Sequence, residues 1–227
     1  MEIKFEYEGI DGLNIDTIAV IGEFNNYNPE KGQMVKDNNT WVFNQDLPPG
    51  EHKYKFLINE ELKLNDPTAN IYFPDDNEEL WSVIIINDKD QRLYNNNQYT
   101  VHVNKYNISS ILNEEVTANK KNFNTLLDKN VVTRFEFTDV TGLHTVTTAW
   151  YTPKMELFQI VENNLLTVPK ENKPINMWFW MDLEDKTRQY PYGVWTMKLF
   201  IDGQFILDDK FTLSGTSSYS AQGKIKY

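Results

Sequence analysis

The apolar residues of this chain come in short bursts. Ile3-Lys-Phe-Glu-Tyr7, Thr17-Ile-Ala-Val-Ile21, Thr40-Trp-Val-Phe43, His52-Lys-Tyr-Lys-Phe-Leu-Ile58 and Ser82-Val-Ile-Ile-Ile86 are each bounded by clusters of Gly, Pro, Asn or Asp. Such segments are too short for helices, are rich in β-branched and aromatic residues, and several alternate with the two-residue period of a strand. The style continues in Val131–Phe137, His144–Tyr151, Ile175–Met181, Gly193–Ile201 and Lys210–Leu213. Asp202-Gly203 after Ile201 supplies the positive φ angles of a tight hairpin turn. Only Asn119 to Lys129 carries a helical signal, a weak one. The pattern predicts an all-β chain built as two tandem immunoglobulin-like β-sandwich domains.

A length of 227 residues suits two domains, and charge shows where they divide. Residues 1–97 carry 19 acidic and 8 basic side chains, whereas residues 98–227 carry 14 of each. The polar stretch Asn95-Asn-Asn-Gln98 separates strand-like segments on either side, so the boundary is expected there, giving domains 1–97 and 98–227. From Ser214 to Tyr227 the chain is polar and is expected to fray.

A net charge of −11 lacks the basic footprint that phosphate contacts require, which argues against nucleic acid and anionic membrane surfaces as partners. No apolar run approaches the ~20 residues that span a bilayer. The first residues, Met1-Glu-Ile-Lys-Phe-Glu-Tyr-Glu8, do not have the pattern of a secretory signal, so a cytoplasmic location is expected. The absence of cysteine removes disulfide and Cys-based zinc or redox chemistry.

Glycoside hydrolysis needs two carboxylates roughly 5–10 Å apart, one with a raised pKa. The acidic pairs Glu60-Glu61, Asp75-Asp76, Glu78-Glu79 and Asp208-Asp209 all fall at expected turns or strand ends, where solvated charge is the usual explanation. His52, His102 and His144 lack the spacing of a helical zinc site, and Asp75-Asp-Asn-Glu-Glu79 lacks the glycine and length of an EF-hand loop. No nucleophile elbow or phosphate loop is present. The expectation is a protein with no catalytic residues, no metal and no cofactor.

Four ordered blocks, Val20-Ile-Gly-Glu-Phe-Asn-Asn-Tyr-Asn-Pro29, Leu47-Pro-Pro-Gly-Glu-His-Lys-Tyr-Lys-Phe56, Asn65-Asp-Pro67 and Ser82-Val-Ile84, give residues 15–87 a specific signature. This segment resembles the family 48 carbohydrate-binding modules, which include the glycogen-binding domain of the AMP-activated protein kinase beta subunit. The resemblance implies an early-set immunoglobulin-like fold and an α-1,4-glucan, polysaccharide or oligosaccharide, as partner. In binding members two tryptophans, a lysine and groups near the last hairpin hold the sugar. The first tryptophan position falls on Tyr27, beside Asn26, and the lysine falls on Lys55. The second tryptophan falls on or near Leu62, a poor platform, and the family asparagine falls on Trp81. Aromatic faces cover the apolar patches of glucose while polar groups fix its hydroxyls. Alternation in Lys53–Ile58 puts Tyr54, Phe56 and Ile58 on one face and Lys53 and Lys55 on the other, polar one, so Lys55 is expected at the solvent face. Trp41, at the family's core aromatic position, is read as packing.

In the second half, Met177-Trp-Phe-Trp-Met181 alternates so that Trp178 and Trp180 share one face. They either pack against the first domain or a partner chain, a homodimer included, or form an exposed aromatic strip for sugar or protein. A structural or interaction module that has lost sugar binding is the alternative to a glucan binder, as is an accessory domain pair of a glucan-active enzyme.

Overall fold

A computed structural model describes residues 1–10, 13–97, 99–113, 118–166 and 173–215. The first half forms β1 (Glu2–Glu8), β2 (Ile18–Gly22), β3 (Val35–Asp37), β4 (Thr40–Asp46), β5 (Gly50–Ile58), β6 (Leu62–Leu64), β7 (Tyr72–Pro74), β8 (Leu80–Ile86) and β9 (Arg92–Leu93). The second forms β10 (Thr100–Ser109), β11 (Asn122–Asn124), β12 (Asn130–Thr141), β13 (Leu143–Tyr151), β14 (Leu157–Leu166), β15 (Ile175–Asp182), β16 (Gly193–Ile201) and β17 (Gln204–Ser214). The chain is all-β and folds as packed β-sandwiches. Sheet β1-β4-β3 faces sheet β2-β5-β8-β7, with β6 beside β5 and β9 beside β8. Sheet β10-β12-β15 faces sheet β11-β17-β16-β13-β14. Among the described residues, no ladder joins a strand before residue 97 to one after it, and no helix is long and apolar enough to cross a membrane.

Sequence parity becomes packing directly. In β1, Ile3, Phe5 and Tyr7 are buried while Glu2, Lys4, Glu6 and Glu8 are exposed. Tyr54 and Phe56 of β5 meet them edge-on, Phe5 to Tyr54 at 4.9 Å and Tyr7 to Phe56 at 5.1 Å between ring centroids, a favoured aromatic geometry. Trp41 lies in this core as expected. The second core gathers Trp150, Trp195, Phe135, Phe179 and Phe211. The Trp195 indole N–H donates to the Pro191 carbonyl at 2.8 Å, which removes the cost of burying it. Strand β13 is buried on both faces. Its Val146 and Trp150 serve the second core, while Ala149 and Tyr151, with Phe200 of β16, join the first.

Two local expectations differ from the fold, and two strands, β10 and β14, were not anticipated. The helical segment is instead β11 and a turn, because Phe123 is buried in the core and its strand pairs in parallel with β17; tertiary pairing overrides a weak helical preference. Strand β10 escapes a parity reading because its register shifts between Val103 and Lys105. In β14 both faces carry apolar groups: Leu157 and Ile160 pack on the first core, and Phe158, Val161 and Leu165 on the second. Asp208 and Asp209 lie within β17, where they point to opposite sides: Asp208 pairs with the buried Lys198 at 3.2 Å, and Asp209 pairs with Lys121 and accepts from the Tyr106 hydroxyl. Asp202 (φ 52°) and Gly203 (φ 83°) form the expected tight turn between β16 and β17. Of the tail, Ser214 closes β17 and residues 216–227 lie outside the described residues.

His144 ties that turn to two other elements. Nδ1 is 2.6 Å from Asp202 Oδ2, and Nε2 reaches the carbonyls of Thr141 at 2.9 Å and Thr100 at 3.2 Å. Both ring nitrogens face acceptors, and only the protonated ring donates from both. Burial opposes that charge, but the hydrogen bond to Asp202, its charge and the two carbonyls outweigh burial and raise the His144 pKa. A raised folded-state pKa stabilises the fold fully below the unfolded value of about 6.5, and this stabilisation is lost as pH rises through the folded value. Between pH 6 and pH 9 the urea midpoint of the native chain should therefore fall more than that of His144→Gln. Identical profiles would rule this out.

Candidate functional site

The loop after β2 is built by its asparagines. Residues Glu23–Asn25 form a short 3-10 turn, and the buried Asn25 side chain accepts from the Gly22 N–H at 3.1 Å and donates to the Val20 carbonyl at 2.8 Å. Asn26 and Tyr27 both follow at φ 55°, a left-handed conformation that asparagine adopts readily and tyrosine seldom does. The Tyr27 N–H donates to the Gly22 carbonyl, closing the loop. Tyr27 is left 46% exposed, with Asn26 exposed beside it.

Beneath Tyr27 lies Trp81, 5.5 Å away and edge-on at 68°. Trp81 is only 6% exposed. Its N–H donates to Asp75 Oδ2 at 3.2 Å, and the ammonium groups of Lys55 and Lys63 lie 5.4 and 5.1 Å from its ring centre. Trp81 thus braces Tyr27 and offers little surface of its own.

Lys55 corrects the expectation most sharply. It leaves β5 on the face opposite Phe56, as parity requires, yet that face is not solvent: Lys55 is 0% exposed. Nζ bonds Glu79 Oε1 and Glu162 Oε1, each at 2.9 Å, and Glu162 comes from β14 of the second half. Glu79 also pairs with Lys63. Burial opposes ionisation of Glu79, but hydrogen bonds and charge from Lys63 and Lys55 outweigh it and hold the carboxyl below its usual pKa. Glycoside hydrolysis calls for the reverse, a proton donor with a raised pKa. The cluster is therefore a neutralised latch between the two halves.

Leu62 is also corrected. It is 2% exposed, lies opposite Ile58 in the ladder and belongs to the first core, so it presents no surface to a sugar. Tyr27, Trp81 and Lys55 are brought together, then, with only Tyr27 and Asn26 at the surface. The sequence reading missed Lys63 and Glu162, and took Asp75 and Glu79 for solvated charges. Lys63 was legible, since it stands at the outward position between inward Leu62 and Leu64. Glu162, 107 residues from Lys55, carried no signal.

An open cleft of about 620 Å³ runs along the seam beside these groups, lined among others by Lys63, Glu79, Glu162, Asn163 and Asn164. The Asn164 side chain donates to the Glu78 carbonyl at 2.9 Å. The phenol of Tyr27 has a raised pKa from partial burial and from the nearby Glu23, Asp75 and Glu79 carboxylates, so it stays a neutral hydroxyl that both donates and accepts.

Residues 1–92 match the family described as the glycogen recognition site of AMP-activated protein kinase, which bears out the resemblance carried by the four blocks. No curated protein matches the chain. Among solved structures, it is similar to an alkylpurine DNA glycosylase from Pseudomonas fluorescens bound to DNA containing an abasic site analog, 12% identical over 52% of this chain and 32% of that one with a TM-score of 0.36. It is also similar to a maltogenic amylase from S. marinus (15% identical, 90% of this chain, 25% of that one, TM-score 0.34) and to dimeric latent PorU from Porphyromonas gingivalis (11%, 95%, 18%, 0.34). The chain spans about a third or less of the length of these three proteins.

Proposed function

We infer, from a first half that matches a glycogen-recognition family, that residues 1–97 form a non-catalytic module for an α-1,4-glucan and residues 98–227 a second sandwich that buttresses it. One observation carries this reading: within the matched region the loop holds Tyr27 out at 46% exposure against the edge of Trp81. An exposed aromatic held in an uncommon backbone conformation suits a ligand contact better than packing. In this reading the sugar lies on the Tyr27 ring, and Asn26 and the seam groups reach its hydroxyls. Lys55 and Trp81 support the site from below.

Calorimetric titration with glycogen and maltoheptaose, with cellohexaose as control, tests it. Tyr27→Ala should weaken α-glucan affinity by about tenfold, near 1.4 kcal/mol, with an unchanged circular dichroism spectrum. No binding at millimolar sugar would refute it.

The second reading is an interaction or scaffolding module that kept the fold without the sugar. The burial of Lys55 against Glu162 favours it, because the lysine that sugar-binding members use is consumed here by contact with the second half.

A further inference from the structure

Where the chain passes from its first half into its second, one side chain fastens it. Tyr99 packs edge-on against the His144 ring at 6.3 Å, and the Thr100 carbonyl lies 3.2 Å from His144 Nε2. Thr100 opens β10, an edge strand of its sheet, and the ladder with β12 is interrupted by a register shift between Thr100 and His102. An edge strand with a broken ladder holds its first residues weakly. His144 reaches them from beneath and ties them to the Thr141 carbonyl and to Asp202. Asp202 in turn accepts from the Thr145 N–H at 2.8 Å, and the Thr145 hydroxyl accepts from the side chain of Asn65 in the first half. The ring also helps to wall a cleft of about 680 Å³ between the halves, with Asn70 and Tyr72 on one side and Tyr99 and His102 on the other.

These bonds respond unequally to the loss of a proton. A charged ring donates from both nitrogens. When one proton leaves, the other stays on Nδ1, because its bond to the Asp202 carboxylate is stronger than a bond to a carbonyl. Nε2 then turns a lone pair toward two carbonyl oxygens, and attraction becomes repulsion. Thr141 is held by the one-residue connection between β12 and β13, whereas Thr100 lies exposed at the sheet edge, so Thr100 is the side that yields. Among the described residues, the other titratable groups around the ring do not bond it. His102 pairs with Asp139 at 3.3 Å, and the Tyr99 hydroxyl accepts from Asn95. Burial, then the charges of Asp202 and Asp66, keep the Tyr72 phenol protonated. Leu165, opposite His144 in the β14 ladder, is uncharged.

We propose that His144 is a proton-operated clasp at the junction of the two halves. Charged, it pins Thr100 and the start of β10; neutral, it keeps Asp202 and releases Thr100, so that Tyr99–Val101 loosen and the cleft beside them widens. The bonds that raise the His144 pKa place this change above about pH 6.5. The clasp is independent of Tyr27 and of the glucan reading.

Nuclear magnetic resonance of the full chain from pH 6 to pH 9 tests it, with relaxation read on Cα–H groups, whose protons do not exchange with water. Order parameters of Thr100 and Val101 should fall from about 0.85 to about 0.6 or below, with the same midpoint as the His144 ring resonances. Those of Thr145 and Val146 should stay high. In His144→Gln the values should not vary with pH, and in His102→Gln they should follow the native curve. Since His144 is buried, the shared midpoint in the native chain carries the test if the glutamine variant folds poorly. Order parameters that stay level while the His144 ring titrates overturn the proposal. So does a ring that keeps one charge state across the range, a fall that persists in a folded His144→Gln, or one that vanishes in His102→Gln.

Discussion

Replacing Lys55 with alanine should cost about 3 kcal/mol of stability, read as a fall in the urea midpoint at unchanged slope. The lysine has no access to water and neutralises two carboxylates. Removing one partner of a buried ion pair costs about 3–5 kcal/mol because the charge left behind has lost both its water and its counterion. Glu79 retains Lys63, but Glu162 keeps only the Thr147 hydroxyl at 3.2 Å among the described residues. Both carboxylates are partly exposed, so water entering the seam holds the loss at the lower end of that range. The triple change Lys55→Met, Glu79→Gln, Glu162→Gln should recover most of it, because replacing a whole buried cluster with neutral groups is often close to neutral. A loss under 1 kcal/mol for Lys55→Ala would mean that the latch is not formed in solution.

Gly203→Ala should be as damaging, by about 3 kcal/mol. At φ 83° a β-carbon is strained whatever surrounds it, a cost of about 1–3 kcal/mol. Here the added carbon would also land on the backbone carbonyl of Asn65, which cannot swing aside. The Asn65 side chain donates to the Leu80 carbonyl and to the Thr145 hydroxyl, so displacing it disturbs both halves. Gly142, at φ 86°, serves as the comparison: its added carbon would land on the side chain of the exposed Tyr99 and not on backbone. Gly142→Ala should lose less than Gly203→Ala, because a surface side chain can shift where the Asn65 backbone cannot. Equal thermal denaturation midpoints for the two variants would show that the Asn65 contact carries no weight.

The sequence gives parity reliably and gives what lies opposite a face poorly. Alternation in Lys53–Ile58 correctly turned Lys55 away from Phe56, but nothing in that segment reveals that Glu162 of a strand 107 residues later would cover it. Leu62 was read through a motif position, while its own pattern with Leu64, two apolar residues flanking Lys63, already marked it as core. The loop at Tyr27 was legible because it is local: asparagines supply both its hydrogen bonds and its left-handed turn. Strand β14 was not legible, since a strand packed on both sides shows no alternation. The acidic residues were read as solvated charges, yet Glu79 and Asp208 neutralise buried lysines, a role that depends on folded distance alone.

The sharing of Ala149, Tyr151 and Phe200 with the first core bears on how the molecule comes apart. A division of the chain near residue 97 separates hydrogen-bonded ladders, but it does not separate hydrophobic clusters. Loosening the second half withdraws three buried side chains from the first, so neither half melts without weakening the other, and backbone amides in β5 and β13 should exchange with solvent through one common opening event.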